Sequence, residues 1–157
     1  MAEVTNQKYS ILIVDDSEED SFFLERALRQ STRFQVVGAV RDGEEAISYL
    51  SGLDQYQDRQ LWPIPDVLLM DLKMPRLNGF EVLEWLQKQS FPGLKVVILS
   101  GSSMAGDIQR VKALGADAFY TKSAPNSKLV EMVGNLEQFL INSGPNSEMP
   151  IPSPKPE

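Results

Sequence analysis

Five polar residues stand at the ends of short apolar runs, and their types suit the handling of phosphate and a hard cation. Asp15 and Asp16 follow Ile11-Leu12-Ile13-Val14, and Asp71 follows Val67-Leu68-Leu69-Met70. Ser100 closes Lys95-Val96-Val97-Ile98-Leu99-Ser100, and Lys122 closes Ala118-Phe119-Tyr120-Thr121-Lys122. Each has an ordinary explanation when taken alone. An Asp closing a strand is commonly a turn residue or a helix cap, and acids at a helix start complement the helix dipole. A Ser-Gly pair makes a turn, and a strand-end lysine is usually solvated. The coincidence at four run ends asks for a common cause.

Parallel strands put all their carboxyl ends on one edge of a sheet, where open α/β sheets bind ligands. In the order 2-1-3-4-5 the first and third strands are neighbours, so Asp15, Asp16 and Asp71 crowd together with Lys122 beside them. Two like charges ~4 Å apart repel by about 4 kcal/mol at an effective dielectric near 20. One lysine does not neutralise three acids. Either some carboxylates hold protons at neutral pH, or the pocket binds a hard cation. An all-oxygen donor set suits Mg²⁺, which keeps waters that a phosphate oxygen can replace. A carboxylate, a Mg²⁺, a lysine and a hydroxyl around one cavity make a phosphoryl-transfer site, with Asp71 as the nucleophile.

The elements needed to build that edge are legible. Short strands are expected at 11–14, 35–40, 67–70, 95–100 and 118–122, alternating with helices that carry apolar stripes. These include Phe23, Leu24, Ala27 and Leu28 after the first strand, with Ser17 as the cap, and Ala46, Ile47 and Leu50 after the second. Phe80, Val82, Leu83 and Leu86 follow Asn78-Gly79, and Phe91-Pro92-Gly93 is expected to end that helix. Ile108, Val111 and Leu114 mark the fourth helix. The last, near 126–141, repeats Leu129, Met132, Val133, Leu136, Phe139 and Leu140, the clearest 3.6-residue period in the chain. Alternating βα units of this length predict a doubly wound five-stranded parallel sheet covered by five helices. Residues 51–65, with Gly52, Pro63 and Pro65, form a longer connection than the ~2–6 residues usual between helix and strand.

Composition narrows the function further. The chain has 157 residues, 42% of them hydrophobic, enough for one well-buried domain. A net charge of −7 with no basic cluster argues against a nucleic-acid surface. With no Cys and no His, thiolate sites, imidazole ligands and a Ser/His/Asp triad are excluded. No run approaches a membrane span and the polar start has no signal-peptide core, so a cytoplasmic protein is expected. Residues 1–7 read as a flexible N-terminus. Residues 143–157 read as a Pro-rich disordered tail, with Pro145, Pro150, Pro152, Pro154 and Pro156.

Ile11-Leu12-Ile13-Val14-Asp15-Asp16-Ser17, Asp71 with Met74-Pro75 and Asn78-Gly79, Ser100-Gly101, Gly115-Ala116 and Lys122 stand in an order that resembles the bacterial response-regulator receiver domain. The resemblance spans 8–142 and implies the flavodoxin-like receiver fold of the chemotaxis receiver. It implies a phosphoryl group moved to Asp71 from a histidine on a sensor kinase or a phosphotransfer protein. It assigns Mg²⁺ to Asp16 and Asp71 and the backbone carbonyl of Lys73, with Asp15 acting through water. Ser100 and Lys122 bind the phosphoryl group, and Phe119 matches an aromatic residue that turns inward on activation. Lys73 and Ser102 match positions that tune dephosphorylation. The expected role is a stand-alone signalling switch, not an enzyme beyond its own phosphotransfer and slow dephosphorylation. Its output is binding a downstream protein or a second copy in a homodimer. The long 51–65 segment is similar to that of single-domain receivers paired with phytochrome-type or other sensor kinases.

One position departs from the family. Ser123 follows Lys122 where a cis-bonded Pro is usual, with Pro125 two residues on. A cis bond before a non-proline costs ~2.5–4 kcal/mol, so a trans Lys122-Ser123 bond is expected. Two rival readings remain. A haloacid-dehalogenase-like phosphatase places a second Asp two residues after its nucleophile, and here that residue is Lys73. A pseudo-receiver binds partners without accepting phosphate, although every acceptor residue is present here.

Overall fold

The structure is a computed structural model, and it describes residues 8–101, 105–122 and 127–142. The expectations for 1–7, Ser102, the Lys122-Ser123 bond with Pro125, and 143–157 fall outside the described residues.

Five parallel strands, β1 (Tyr9–Val14), β2 (Phe34–Val40), β3 (Val67–Met70), β4 (Lys95–Ser100) and β5 (Ala118–Thr121), form one sheet in the order β2-β1-β3-β4-β5. Helices α1 (Glu18–Arg29), α2 (Gly43–Ser51), α3 (Gly79–Gln87), α4 (Ala105–Ala113) and α5 (Ser127–Asn142) connect and cover them. The doubly wound topology is the one expected. Alternation along the strands divides the core in two. Leu12, Val14, Leu68, Met70, Ile98 and Phe119 face α2, α3 and α4, where Ala46, Leu50, Val82, Leu83, Ile108 and Val111 meet them. Ile11, Ile13, Val67, Leu69, Val97 and Ala118 face α1 and α5, where Leu24, Leu28, Met132, Val133 and Leu136 meet them. Burial on both faces explains why the central strands read as unbroken apolar runs. No helix among the described residues is long and apolar enough to cross a membrane.

Helix starts are fixed by side-chain caps. Ser17 Oγ accepts from the Asp20 amide at 3.1 Å, Asp42 Oδ1 accepts from the Glu45 amide at 2.8 Å, and Asn78 and Glu81 form a reciprocal capping box. Element bounds differ from the sequence reading at several ends. β1 starts at Tyr9, two residues early, because pairing with β2 carries it outward. β5 stops at Thr121, leaving Lys122 outside, although its amide still reaches the Ser100 carbonyl at 2.7 Å. α3 ends at Gln87, before Phe91-Pro92-Gly93; the Lys88 amide caps it, and Gly93 turns into β4 with φ +84°.

The 51–65 connection is folded onto α2. A short 3-10 turn spans Asp54–Tyr56. α2 has no basic residue in its last turn. The Arg59 guanidinium instead donates to the carbonyls of Tyr49, Leu50 and Trp62 at 2.8, 2.8 and 3.1 Å. Tyr49, Tyr56 and Trp62 pack ring against ring, and the Tyr49 hydroxyl donates to the Pro63 carbonyl at 2.9 Å.

Candidate functional site

Asp15 and Asp71 leave adjacent strands at the same height. The Asp15 amide donates to the Val40 carbonyl and the Asp71 amide to the Val14 carbonyl, so the sheet's own ladder sets both. As whole residues they are 3% and 8% exposed. Asp71 divides its oxygens. Oδ1 accepts the Leu72 amide at 2.7 Å, with the Lys73 amide at 3.5 Å, while Oδ2 faces Lys122 Nζ at 3.0 Å. Asp15 does the same, with Oδ1 on the Ser17 amide at 2.9 Å and Oδ2 on Lys122 Nζ at 2.6 Å. One carboxylate oxygen from each of Asp15, Asp16 and Asp71 lies within 4.8 Å of the others, and Asp16 alone of the three faces solvent.

The backbone that carries Asp71 is held by glycine. A Cβ on Gly79 would meet the Asp71 carbonyl oxygen at 2.5 Å and Leu72 Cα at 2.9 Å, and the Gly79 amide donates to the Leu72 carbonyl at 2.8 Å. Asn78-Gly79 therefore does two jobs: the Asn caps α3, and the Gly lets α3 start against the Asp71 backbone. On the loop's other side Gly43 packs on Leu77, where a Cβ would lie 2.4 Å from the carbonyl oxygen. Arg76, with φ +66°, pairs with the α2 cap Asp42 at 3.4 Å.

Electrostatics follow from burial and pairing. Burial raises the Asp15 carboxyl above its usual range, against the lowering effect of Lys122 and the Ser17 amide; Asp71 adds to the rise. Burial alone would lower Lys122, but the hydrogen bonds it donates to Asp15 and Asp71 outweigh it and hold the ammonium protonated well above its usual range. The pair is unequal: the contact that secures the lysine's charge does not fully offset the burial of Asp15.

Of the residues singled out in the sequence, the structure brings Asp15, Asp16, Asp71 and Lys122 together. Ser100 is buried at the end of β4, opposite Thr121 on β5. Lys73 lies on the exposed turn after β3, two residues from Asp71. Phe119 is fully buried in the core against α4. Asp20 was missed. Its Oδ2 lies 3.0 Å from Lys122 Nζ, a third carboxylate on the same ammonium. In the sequence it is indistinguishable from any first-turn acid.

The model of the response regulator receiver domain matches residues 11–134. The chain belongs to that family. The receiver domain is 31% identical to the response regulator Rcp1 of Synechocystis sp. PCC 6803 over 144 residues, 91% of this chain and 96% of Rcp1. It is also 31% identical to the transcriptional regulatory protein DegU of Brevibacillus brevis, but covers only 51% of that longer relative. Among solved structures, the phosphorylated cyanobacterial phytochrome response regulator RcpA superposes with a TM-score of 0.75 at 33% identity, covering 87% of this chain and 96% of that one. The Mn²⁺-bound form of Rcp1 superposes at 0.72 and 30% identity, with the same coverages. A two-component signalling role comes with the family. The donor set of this receiver fits a hard divalent cation, since it offers carboxylate oxygens only and one of them faces solvent.

Proposed function

We propose that this receiver domain accepts a phosphoryl group on Asp71 from the phosphohistidine of a sensor histidine kinase or a histidine phosphotransfer protein. The observation that carries the reading is the Asp71 carboxylate, buried but open at Oδ2 to Lys122, with Asp15 and Asp16 beside it. Oδ2 attacks phosphorus as the bond from phosphorus to the donor's imidazole nitrogen breaks, and the imidazole leaves neutral. The Leu72 amide on Oδ1 keeps the carboxylate oriented through the transfer. Asp15, Asp16, Asp71 and the Lys73 carbonyl would hold Mg²⁺, which when bound supplies positive charge for the phosphoryl oxygens. Lys122, kept protonated by its carboxylates, pairs with the product, and the Ser100 hydroxyl binds a phosphoryl oxygen.

The transfer adds charge and acceptor oxygens at the sheet edge, and Ser100 and Lys122 carry that change to β4, β5 and the helices beside them. Phe119, buried against α4, is the aromatic residue whose rotation would accompany that change. The readout is a protein-binding face on α4, β5 and α5, used by a downstream protein in the cytoplasm or by a second copy of the chain. The similarity to RcpA and Rcp1 supports a phytochrome-type kinase as donor. A phosphotransfer profile tests this: each labelled sensor kinase of the host is mixed with the receiver and Mg²⁺. Rapid loss of label from one kinase with gain on the receiver is expected. Transfer from no kinase or phosphotransfer protein would contradict it.

A further inference from the structure

A lysine ammonium carries three N–H donors and no acceptor. Here Asp15, Asp20 and Asp71 meet Lys122 Nζ at 2.6, 3.0 and 3.0 Å, so all three donors are committed. While Asp71 is still a carboxylate, the phosphoryl oxygen of an incoming donor cannot be bound by this lysine until one contact is given up. The three differ in what their loss leaves behind. The side chains of Asp15 and Asp71 are 3% and 11% exposed, and unpairing either leaves a buried anion without its cation. The side chain of Asp20 is 48% exposed, so water replaces the lost contact. Asp20 is also tethered, because its own amide donates to the Ser17 cap at the start of α1. Its carboxylate stays with the helix when the lysine moves toward the phosphoryl group.

We propose that Asp20 is a positioning residue for Lys122, occupying the donor that the lysine must free to bind the phosphoryl oxygen of an incoming donor before transfer to Asp71. The inference rests on Asp71 as the phosphoacceptor. Asp20 therefore brakes phosphorylation: it parks the lysine at the mouth of the site while the acceptor is unmodified. The plain alternative is an acid that only complements the dipole of α1, and that role would not depend on Lys122.

The experiment follows phosphoryl uptake from acetyl phosphate at saturating Mg²⁺ by intact mass, for the wild type, Asp20→Asn and Asp20→Glu. The same Asp20→Asn change is also made in a Lys122→Gln background. Asp20→Asn is expected to take up the phosphoryl group roughly three- to five-fold faster, the scale of one half-exposed ionic contact, and Asp20→Glu to stay within about two-fold of wild type. In the Lys122→Gln background the Asp20→Asn gain should vanish, since a double-mutant cycle isolates what passes through the pair. An Asp20→Asn rate at or below wild type, or an equal gain without the lysine, would overturn the inference while leaving Asp71 as acceptor. No adduct on the wild type would overturn the acceptor reading and this inference with it.

Discussion

Neutralising Asp71 should stabilise the metal-free fold, and the geometry sets how much. Asp71 Oδ2 lies 3.0 Å from Lys122 Nζ, an attraction of about 5.5 kcal/mol at an effective dielectric near 20, which Asp71→Asn gives up. The same change relieves repulsion from Asp15 and Asp16, each with an oxygen within 4.8 Å, at about 3.5 kcal/mol per pair or more at that dielectric. Asp20 shares the ammonium, so its oxygen is within twice 3.0 Å of Asp71 and adds about 2.8 kcal/mol. Asp16 and Asp20 face solvent, which roughly halves their share. Relief still exceeds loss by about 1 kcal/mol, and removing a buried charge acts in the same direction. The Asn oxygen still accepts the Leu72 amide. In EDTA at low salt, urea and thermal melts should therefore show Asp71→Asn more stable by about 1 kcal/mol, a melting point about 3 °C higher. Mg²⁺ should raise the wild type more than the variant and narrow the gap. A variant that melts lower than the wild type in EDTA would refute the picture of an overcrowded acid cluster.

Further predictions concern the scaffold around the site. Gly79→Ala drives a Cβ into the Asp71 carbonyl; it should cost about 1–3 kcal/mol in urea melts and slow phosphoryl uptake on Asp71. Arg59→Ala removes a donor from three carbonyls, of which Tyr49's keeps the Gly52 amide; a loss of about 2 kcal/mol is expected in the same assay, with the α2–β3 segment showing faster hydrogen exchange. Burial pushes Tyr49 up to about 12 from 10.0. Above pH 10 the unfolded chain then sheds a proton that the native protein keeps, so stability falls by about 3 kcal/mol as pH rises toward 12. Tyr56, Tyr120 and Lys122 are raised too and act in the same sense, so Tyr49→Phe should flatten that decline in pH-dependent melts, not abolish it.

The sheet was readable because its central strands are buried on both faces and its helices carry one-sided stripes. The carboxyl ends of β1 to β4 could therefore be found from the apolar runs, and that of β5 to within one residue. The acids and the lysine were readable because parallel topology sends every strand's carboxyl end to one edge. What stayed hidden depends on side-chain reach. Asp20 looks like any acid in a first helical turn, and only the path of Lys122 across the edge shows that the two meet. Arg59 sits in a polar stretch that reads as an open loop, and its role needs the helix end folded back beside it. The burial of Phe119 was likewise beyond the sequence, since an aromatic residue in a short strand is compatible with either side of the switch.

The central claim is that Asp71 is the phosphoacceptor, and locating the adduct tests it most directly. The receiver is treated with acetyl phosphate and Mg²⁺, the acyl phosphate is trapped by borohydride reduction, and the modified peptide is sequenced by mass spectrometry. One modification at Asp71, abolished by EDTA and absent from Asp71→Asn, is the predicted result. A modification at another residue, or one that persists in Asp71→Asn, would contradict the claim.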